Sequence, residues 1–159
     1  FVFLFFGLVA VCGTAFVEIG RVPLLAFACA LPVGALATAI LVVNNLRDRE
    51  TDASAGKRTL AVRFGRDFAL NQYRALIAVS YAVPLALALS HSVGPEVLLP
   101  IGSLPLALKT TRAVANEHGR ALNPLLAATA KLLLIYGLLF ALGLSARAVL
   151  SNFGSAGAP

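Results

Sequence analysis

Long apolar segments separated by short charged connections are the feature that most constrains this chain. A helix needs about 20 apolar residues to cross the roughly 30 Å hydrocarbon core of a bilayer. Five segments reach or approach that length, and a lone span in lipid can satisfy its backbone polar groups only as a helix. The predicted spans are residues 1–17, 22–46, 69–90, 97–108 and 124–144. The sequence therefore predicts an all-α, polytopic transmembrane helix bundle with about five spans.

The composition agrees with a membrane protein and excludes several soluble classes. Hydrophobic residues make up 59% of the chain and charged residues 13%, whereas soluble domains are about a quarter charged. This balance excludes a nucleic-acid-binding domain despite the net charge of +6. Cys12 and Cys29 lie inside apolar runs without CxxC spacing, so they indicate neither a disulfide framework nor a zinc site.

Basic residues fall almost entirely on one side of the predicted membrane. The positive-inside rule places the loops rich in lysine and arginine in the cytoplasm. We therefore expect a multi-pass cell-membrane protein whose second–third and fourth–fifth connections are cytoplasmic and whose C-terminus lies outside. The basic residues on the cytoplasmic side are Arg47, Arg49, Lys57, Arg58, Arg63, Arg66, Arg74, Lys109, Arg112 and Arg120, against Arg21 and Arg147 on the other.

Acidic residues cluster at the end of the second predicted span. Three of the seven acids, Asp48, Glu50 and Asp52, fall within five residues. Asn44, Asp48 and Asp52 are spaced i, i+4 and i+8, so a continuing helix stacks them on one face. Like charges one turn apart repel, and a divalent cation relieves that repulsion. Because Mg²⁺ takes one or two carboxylates plus substrate phosphates, we predict Asp48 and Asp52 as its ligands.

The residues around these acids suit a lipid with a diphosphate head. Asn44 or Asn45 supplies a neutral oxygen, and Lys57 and Arg58 follow a bend at Gly56, where they can donate charge-assisted hydrogen bonds to phosphate. The alternative interpretation is an ordinary cytoplasmic loop whose acids pair with the neighbouring Arg47 or Arg49. The candidate substrate-binding residues are Asn44, Asn45, Lys57, Arg58 and Arg63.

Lys131 is a charged residue inside the last predicted span. It follows Pro124 by seven residues, which is about 10 Å of helix. Charged groups within a membrane usually face the bundle interior and serve function, so we predict a catalytic role toward an anionic substrate group. The alternative is that the side chain extends back to the cytoplasmic interface.

The run NNLRDRETD, followed by GKRTLAVRFG, resembles the second aspartate-rich motif of the UbiA superfamily of intramembrane aromatic prenyltransferases. The opening FVFLFFGLVAVCGT and residues 123–143 resemble the branch that acts on 1,4-dihydroxy-2-naphthoate in menaquinone biosynthesis. The resemblance implies a nine-helix bundle, of which these spans are helices five to nine, and a cytoplasmic Mg²⁺ site. The family's first aspartate-rich motif has no counterpart here. The chain also begins without methionine, so we expect the C-terminal part of a longer protein.

That resemblance implies a function as well as a fold. It predicts transfer of a polyprenyl chain from its diphosphate to 1,4-dihydroxy-2-naphthoate in a bacterial inner membrane, giving demethylmenaquinone, CO₂ and diphosphate. The predicted catalytic residues are Asp48 and Asp52 of the motif, together with Lys131 on the ground of its position inside a span. Membrane lipid is an expected partner and nucleic acid is not. Residues 1–159 are predicted as one membrane domain, with a flexible tail over 145–159.

Three alternatives remain open at the level of the sequence. Another member of the superfamily would use hydroxybenzoate, homogentisate or a haem acceptor. A transporter would line a conduit with Asp48, Asp52 and Lys131, although transporters place such groups near the midplane and these acids cluster at one membrane face. A structural membrane subunit is the third alternative, and it does not explain why acidic and basic residues cluster.

Overall fold

The computed structural model describes residues 1–91 and 93–155, with side chains through residue 146 apart from residue 92. Every regular element in these ranges is helical, which confirms the all-α prediction. In chain order the elements are α1 (Phe3–Ile19, π-helical over Phe3–Cys12 and α-helical over Gly13–Ile19), α2 (Leu24–Arg47), α3 (Arg49–Ser54), α4 (Leu60–Leu89), a 3₁₀ helix (Pro95–Ser103), α5 (Leu104–Asn116), a 3₁₀ turn (Gly119–Leu122) and α6 (Asn123–Ser155).

Within the described residues, three helical segments are long and apolar enough to cross a membrane. They are Leu24–Arg47, Leu60–Leu89 and Gly119–Ala146, and they correspond to the second, third and fifth predicted spans. The first predicted span is α1, a shorter apolar helix. The chain therefore has the polytopic helical architecture that the apolar segments predicted.

The fourth predicted span differs from the prediction in form. Residues 97–108 are divided between the 3₁₀ helix and the start of α5, and α5 continues to Asn116. Pro100 lies inside the 3₁₀ helix and Pro105 in the first turn of α5. Neither proline has a backbone N–H, so an uninterrupted α-helical ladder cannot form across this region.

Helix α2 is the centre of the packing, because it contacts α1, α4 and α6. The approach of α1 is close where two glycines meet. A Cβ atom added at Gly7 would lie 2.8 Å from the carbonyl oxygen of Ala30 and 2.9 Å from the Cα atom of Gly34. Small residues at such a crossing let two membrane helices bring their backbones together.

Polar contacts between α4 and α6 compensate for a proline in α4. Pro84 has no N–H to donate to the carbonyl of Ser80 one turn earlier. The hydroxyl of Tyr136 on α6, which is fully buried, donates a hydrogen bond to that carbonyl oxygen. A second buried contact joins the hydroxyl groups of Tyr73 and Thr129 at 3.2 Å. These bonds satisfy polar groups that lipid cannot solvate.

A break in α4 brings the two basic connections together at one end of the bundle. Gly65 has φ 83° and ψ 179°, a conformation that essentially only glycine adopts. Beyond it, a guanidinium nitrogen of Arg66 donates to the carbonyl oxygens of Ala115 and Glu117, both at 2.9 Å, and to that of Val114 at 3.3 Å. The C-terminal end of α5 is thereby held beside the start of α4.

The predicted flexible tail at 145–159 falls partly within α6, whose helix continues to Ser155. Residues 156–159 lie outside the described residues, so the flexibility of this tail stays a prediction.

Candidate functional site

The helical register continues from α2 into α3 through the acidic motif. Asp48 lies between the two helices with φ −94° and ψ 6°. Its N–H donates to the carbonyl oxygen of Asn44 at 3.0 Å, and the N–H of Asp52 donates to that of Asp48 at 2.8 Å. The backbone therefore keeps the i, i+4, i+8 order of Asn44, Asp48 and Asp52 that the spacing predicted.

Arg47 joins the motif to the other basic connection. Its guanidinium forms a two-point ion pair with Asp48, through Nε to Oδ1 at 2.7 Å and Nη2 to Oδ2 at 2.6 Å. The same group donates to the side-chain oxygen of Asn44 at 2.9 Å and to that of Asn123 at 3.1 Å. Asn123 is the first residue of α6, so one side chain connects the ends of two helices.

Asp52 is the more buried of the two candidate metal ligands, with 6% of its surface exposed. Its Oδ1 accepts a hydrogen bond from the Nζ of Lys57 at 2.9 Å. The chain returns to make this contact through Gly56, whose φ of 73° turns the backbone sharply. Lys57, predicted as a phosphate ligand, thus lies directly beside the acid motif.

These ion pairs stabilise the charged forms of Asp48 and Lys57. The hydrogen bond from Arg47 holds the pKa of Asp48 below its usual value. The hydrogen bond to Asp52 raises the pKa of Lys57 above its usual value. A carboxylate at Asp48 and an ammonium at Lys57 are the forms that bind metal and phosphate.

An open cleft of about 440 Å³ lies over the motif. One wall comes from the start of α3, and the facing wall comes from the connection into α6, including Arg120 and Asn123. A second, mostly apolar groove of about 360 Å³ lies between α1, α2 and α6, and Asn44 is its polar lining residue. Its apolar lining residues are Val2, Phe6, Ala37, Ile40, Leu41, Leu126 and Leu133.

The other predicted site residues are not among those that form these ion pairs and hydrogen bonds. Arg58 is exposed, Asn45 is half-buried, and the guanidinium of Arg63 lies over the ring of Phe64 at 5.3 Å from its centroid. Lys131 is exposed on α6, beside the buried Leu132, so its side chain leaves the packed face of that helix. Their predicted roles stay predictions.

Several residues at the site were not predicted from the sequence to bind substrate. Arg47 had been considered only as a salt-bridge partner, and Arg120 only as a topological charge. Asn123 and His118 also lie beside the motif, the latter in a small pocket with Arg49. Asn123 is 76 residues from Arg47, and no local pattern reports a contact at that separation.

The donor atoms present fit a hard cation. Carboxylate and amide oxygens from Asp48 and Asn44 meet at one point, and oxygen is the ligand atom that Mg²⁺ prefers. Within the described part of the chain, no group of three histidine, cysteine, aspartate or glutamate side chains could hold a metal. Oxygen ligands of this kind suit an ion that keeps water and phosphate oxygens as further ligands, which is how Mg²⁺ binds phosphorylated substrates.

Comparison with known proteins assigns this arrangement to a family. The model of the UbiA prenyltransferase family matches residues 1–126. The chain belongs to the UbiA prenyltransferase family. This confirms the resemblance inferred from the acidic motif. No solved structure matches the chain.

The relatives within the UbiA family are bacterial and animal proteins. The chain is 40% identical over 138 residues to 1,4-dihydroxy-2-naphthoate octaprenyltransferase of Mycobacterium tuberculosis, covering 86% of this chain and 46% of the relative. It is 35% identical over 144 residues to the Haemophilus influenzae protein of that name, covering 90% and 47%. It is 32% identical over 139 residues to human UbiA prenyltransferase domain-containing protein 1, covering 87% and 40%. The chain thus spans less than half the length of these relatives.

Proposed function

We propose that this chain forms the C-terminal part of a prenyltransferase that uses a polyprenyl diphosphate. The observation that carries the proposal is the position of Asn44. This residue lines the apolar groove and also accepts a hydrogen bond from Arg47, which lines the polar cleft. A polar cleft and an apolar groove whose lining residues are in contact match a substrate with a charged head and an isoprenoid tail.

Different residues of the chain would bind the diphosphate head and the prenyl tail of the substrate. Asp48 and Asp52 would hold Mg²⁺, and Lys57, Arg58 and Arg63 would supply positive charge to the diphosphate. When bound, Mg²⁺ stabilises charge on the departing diphosphate oxygens. The apolar lining of the groove, including Phe6 and Leu133, would accommodate the prenyl chain and keep water away from the reacting carbon.

We propose 1,4-dihydroxy-2-naphthoate as the acceptor, because two relatives with at least 35% identity carry that substrate in their names. The bond between the allylic carbon and the diphosphate oxygen breaks, and a new carbon–carbon bond forms to the naphthoate ring. The ring carboxyl leaves as CO₂ and the diphosphate departs, which gives demethylmenaquinol, the reduced form of demethylmenaquinone, for menaquinone biosynthesis. Lys131 stays a candidate for contact with an anionic substrate group. A different aromatic acceptor is the second candidate, because human UbiA prenyltransferase domain-containing protein 1 carries no such substrate in its name.

The location of the charged cluster supports an enzyme over a transporter. Arg47 is the last residue of the segment long and apolar enough to span the membrane, and Asp48 and Asp52 lie beyond it. Transporters place ionisable groups near the middle of the bilayer, at interrupted helices. We place this end of the bundle in the cytoplasm, because the basic connections meet there.

The test is a prenyl-transfer assay on the complete membrane protein that contains this chain. It is incubated with a polyprenyl diphosphate, Mg²⁺ and either 1,4-dihydroxy-2-naphthoate or 4-hydroxybenzoate, and the products are identified by mass spectrometry. We expect a decarboxylated prenyl naphthoquinol product that EDTA abolishes and added Mg²⁺ restores. If prenylated hydroxybenzoate were the sole product, the acceptor would be hydroxybenzoate instead of 1,4-dihydroxy-2-naphthoate. If neither acceptor gave a product, the proposal would be contradicted.

A further inference from the structure

Arg47 occupies the position in the site that a metal cation would be expected to take. Its guanidinium binds both carboxylate oxygens of Asp48 at 2.6 and 2.7 Å. It also binds the side-chain oxygens of Asn44 and Asn123 at 2.9 and 3.1 Å. All four are oxygen atoms, and they come from the end of α2, from its junction with α3 and from the start of α6. A positively charged group from the chain thus already neutralises the cluster.

A divalent cation at Asp48 competes with this arrangement. The two-point pair engages both oxygens of the carboxylate, and Mg²⁺ demands near-ideal octahedral geometry around it. A guanidinium keeps its positive charge under all physiological conditions, so it also repels a metal ion held by the same carboxylate. Metal binding at Asp48 therefore weakens the contacts of Arg47 with that carboxylate.

The structure gives the displaced guanidinium a place to go. Arg47 lines the cleft together with Thr51 and Arg120, and 27% of its side chain is exposed. The proposed function places the diphosphate in this cleft. A planar guanidinium binds phosphate oxygens through two parallel hydrogen bonds, as it binds the carboxylate of Asp48 here.

We propose that Arg47 is a positioning residue that exchanges partners when substrate binds. Without substrate, it holds the oxygens of Asn44, Asp48 and Asn123 together and lowers the affinity of the site for free metal. When the metal and diphosphate enter, it releases Asp48 and binds the diphosphate. The site thereby favours metal that arrives with its substrate over metal alone. This inference rests on the proposed prenyl-diphosphate function.

The test separates metal binding from substrate binding in the Arg47→Gln variant of the complete protein. Binding of Mn²⁺, as a probe for Mg²⁺, is measured by electron paramagnetic resonance in detergent without prenyl diphosphate. We expect Mn²⁺ affinity to rise about 3- to 10-fold while the KM for the polyprenyl diphosphate rises about 10-fold. A purely structural role for Arg47 would weaken both, because a disordered motif binds neither ligand well.

Two further variants keep this test decisive. Arg47→Lys retains the charge but cannot form the two-point pair. Its Mn²⁺ affinity should therefore lie between those of the unsubstituted protein and Arg47→Gln. Arg74→Gln is the matched control, because the exposed Arg74 donates a hydrogen bond to Asn71 within α4. In this variant the Mn²⁺ affinity and the KM for the polyprenyl diphosphate should both stay unchanged. Unchanged or weaker Mn²⁺ binding in Arg47→Gln would overturn the proposal. Failure of the proposed function is seen separately, as absence of prenyl transfer by the unsubstituted protein.

Discussion

At the scale of single residues, the two aspartates of the motif have different surroundings, although both are proposed to bind Mg²⁺. Asp48 is paired with Arg47 near the cleft, whereas Asp52 is nearly buried and paired with Lys57. Asparagine has nearly the same shape as aspartate but lacks the charge that a divalent cation needs. Substitution at either position should therefore test metal binding with little change in packing.

We predict that Asp48→Asn and Asp52→Asn each lower prenyl-transfer turnover by about 100-fold or more, since even residues behind a metal ligand affect activity by roughly 10- to 100-fold. Membrane insertion and yield should stay the same. The measurement is product formation at saturating Mg²⁺, with Asp67→Asn, an exposed acid on α4, as the control. Activity near the unsubstituted level in both variants would favour the alternative of simple loop ion pairs.

The sequence could predict this part of the site because the information is local. Asn44, Asp48 and Asp52 share a face through helical spacing alone, and the backbone register of the structure preserves it. The ion pair of Lys57 with Asp52 also spans only five residues. The contact of Arg47 with Asn123 could not be predicted, because it depends on how α2 and α6 pack.

At the scale of helices, apolar length predicted the main elements and special residues decided their details. The predicted spans at 22–46 and 124–144 agree closely with Leu24–Arg47 and the interior of α6. Helix α4 begins at Leu60, before the predicted start of the third span at residue 69, and the break at Gly65 separates its first five residues from the rest of the helix. The backbone conformation of Gly65 cannot be predicted from the hydropathy of the sequence.

The hydrogen bond from Tyr136 to the carbonyl of Ser80 gives a prediction about helix packing. We expect Tyr136→Phe to lower the free energy of unfolding by roughly 1–3 kcal/mol, because the carbonyl is then left unsatisfied in an apolar interior. Pro84→Ala restores an N–H one turn after Ser80, so Tyr136→Phe should cost less in that background. The four proteins are compared by thermal unfolding in detergent as a double-mutant cycle. Equal costs in both backgrounds would show that Tyr136 acts through its ring packing against Tyr81 and Phe140 instead.

At the scale of the whole molecule, charge and packing agree on which ends of the helices lie together. The sequence assigned the second–third and fourth–fifth connections to one side from their lysines and arginines. The structure brings those connections into contact, through Arg47 with Asn123 and through Arg66 with the end of α5. The acid motif lies on that same side, so under the proposed function the sidedness of the basic loops decides from which side of the membrane substrate enters.

This sidedness leads to a labelling prediction. Ser54→Cys places an exposed thiol at the end of α3, and Arg21→Cys places one in the connection between α1 and α2. Because the positive-inside rule puts the basic end in the cytoplasm, a membrane-impermeant maleimide should label residue 54 only after the cytoplasmic face is opened, and residue 21 in intact cells. The parent protein is the control, since its own Cys12 and Cys29 are buried. Reversed labelling would put the acid motif outside, where a polyprenyl diphosphate made in the cytoplasm could not reach it. That outcome would contradict the orientation and the substrate assignment together.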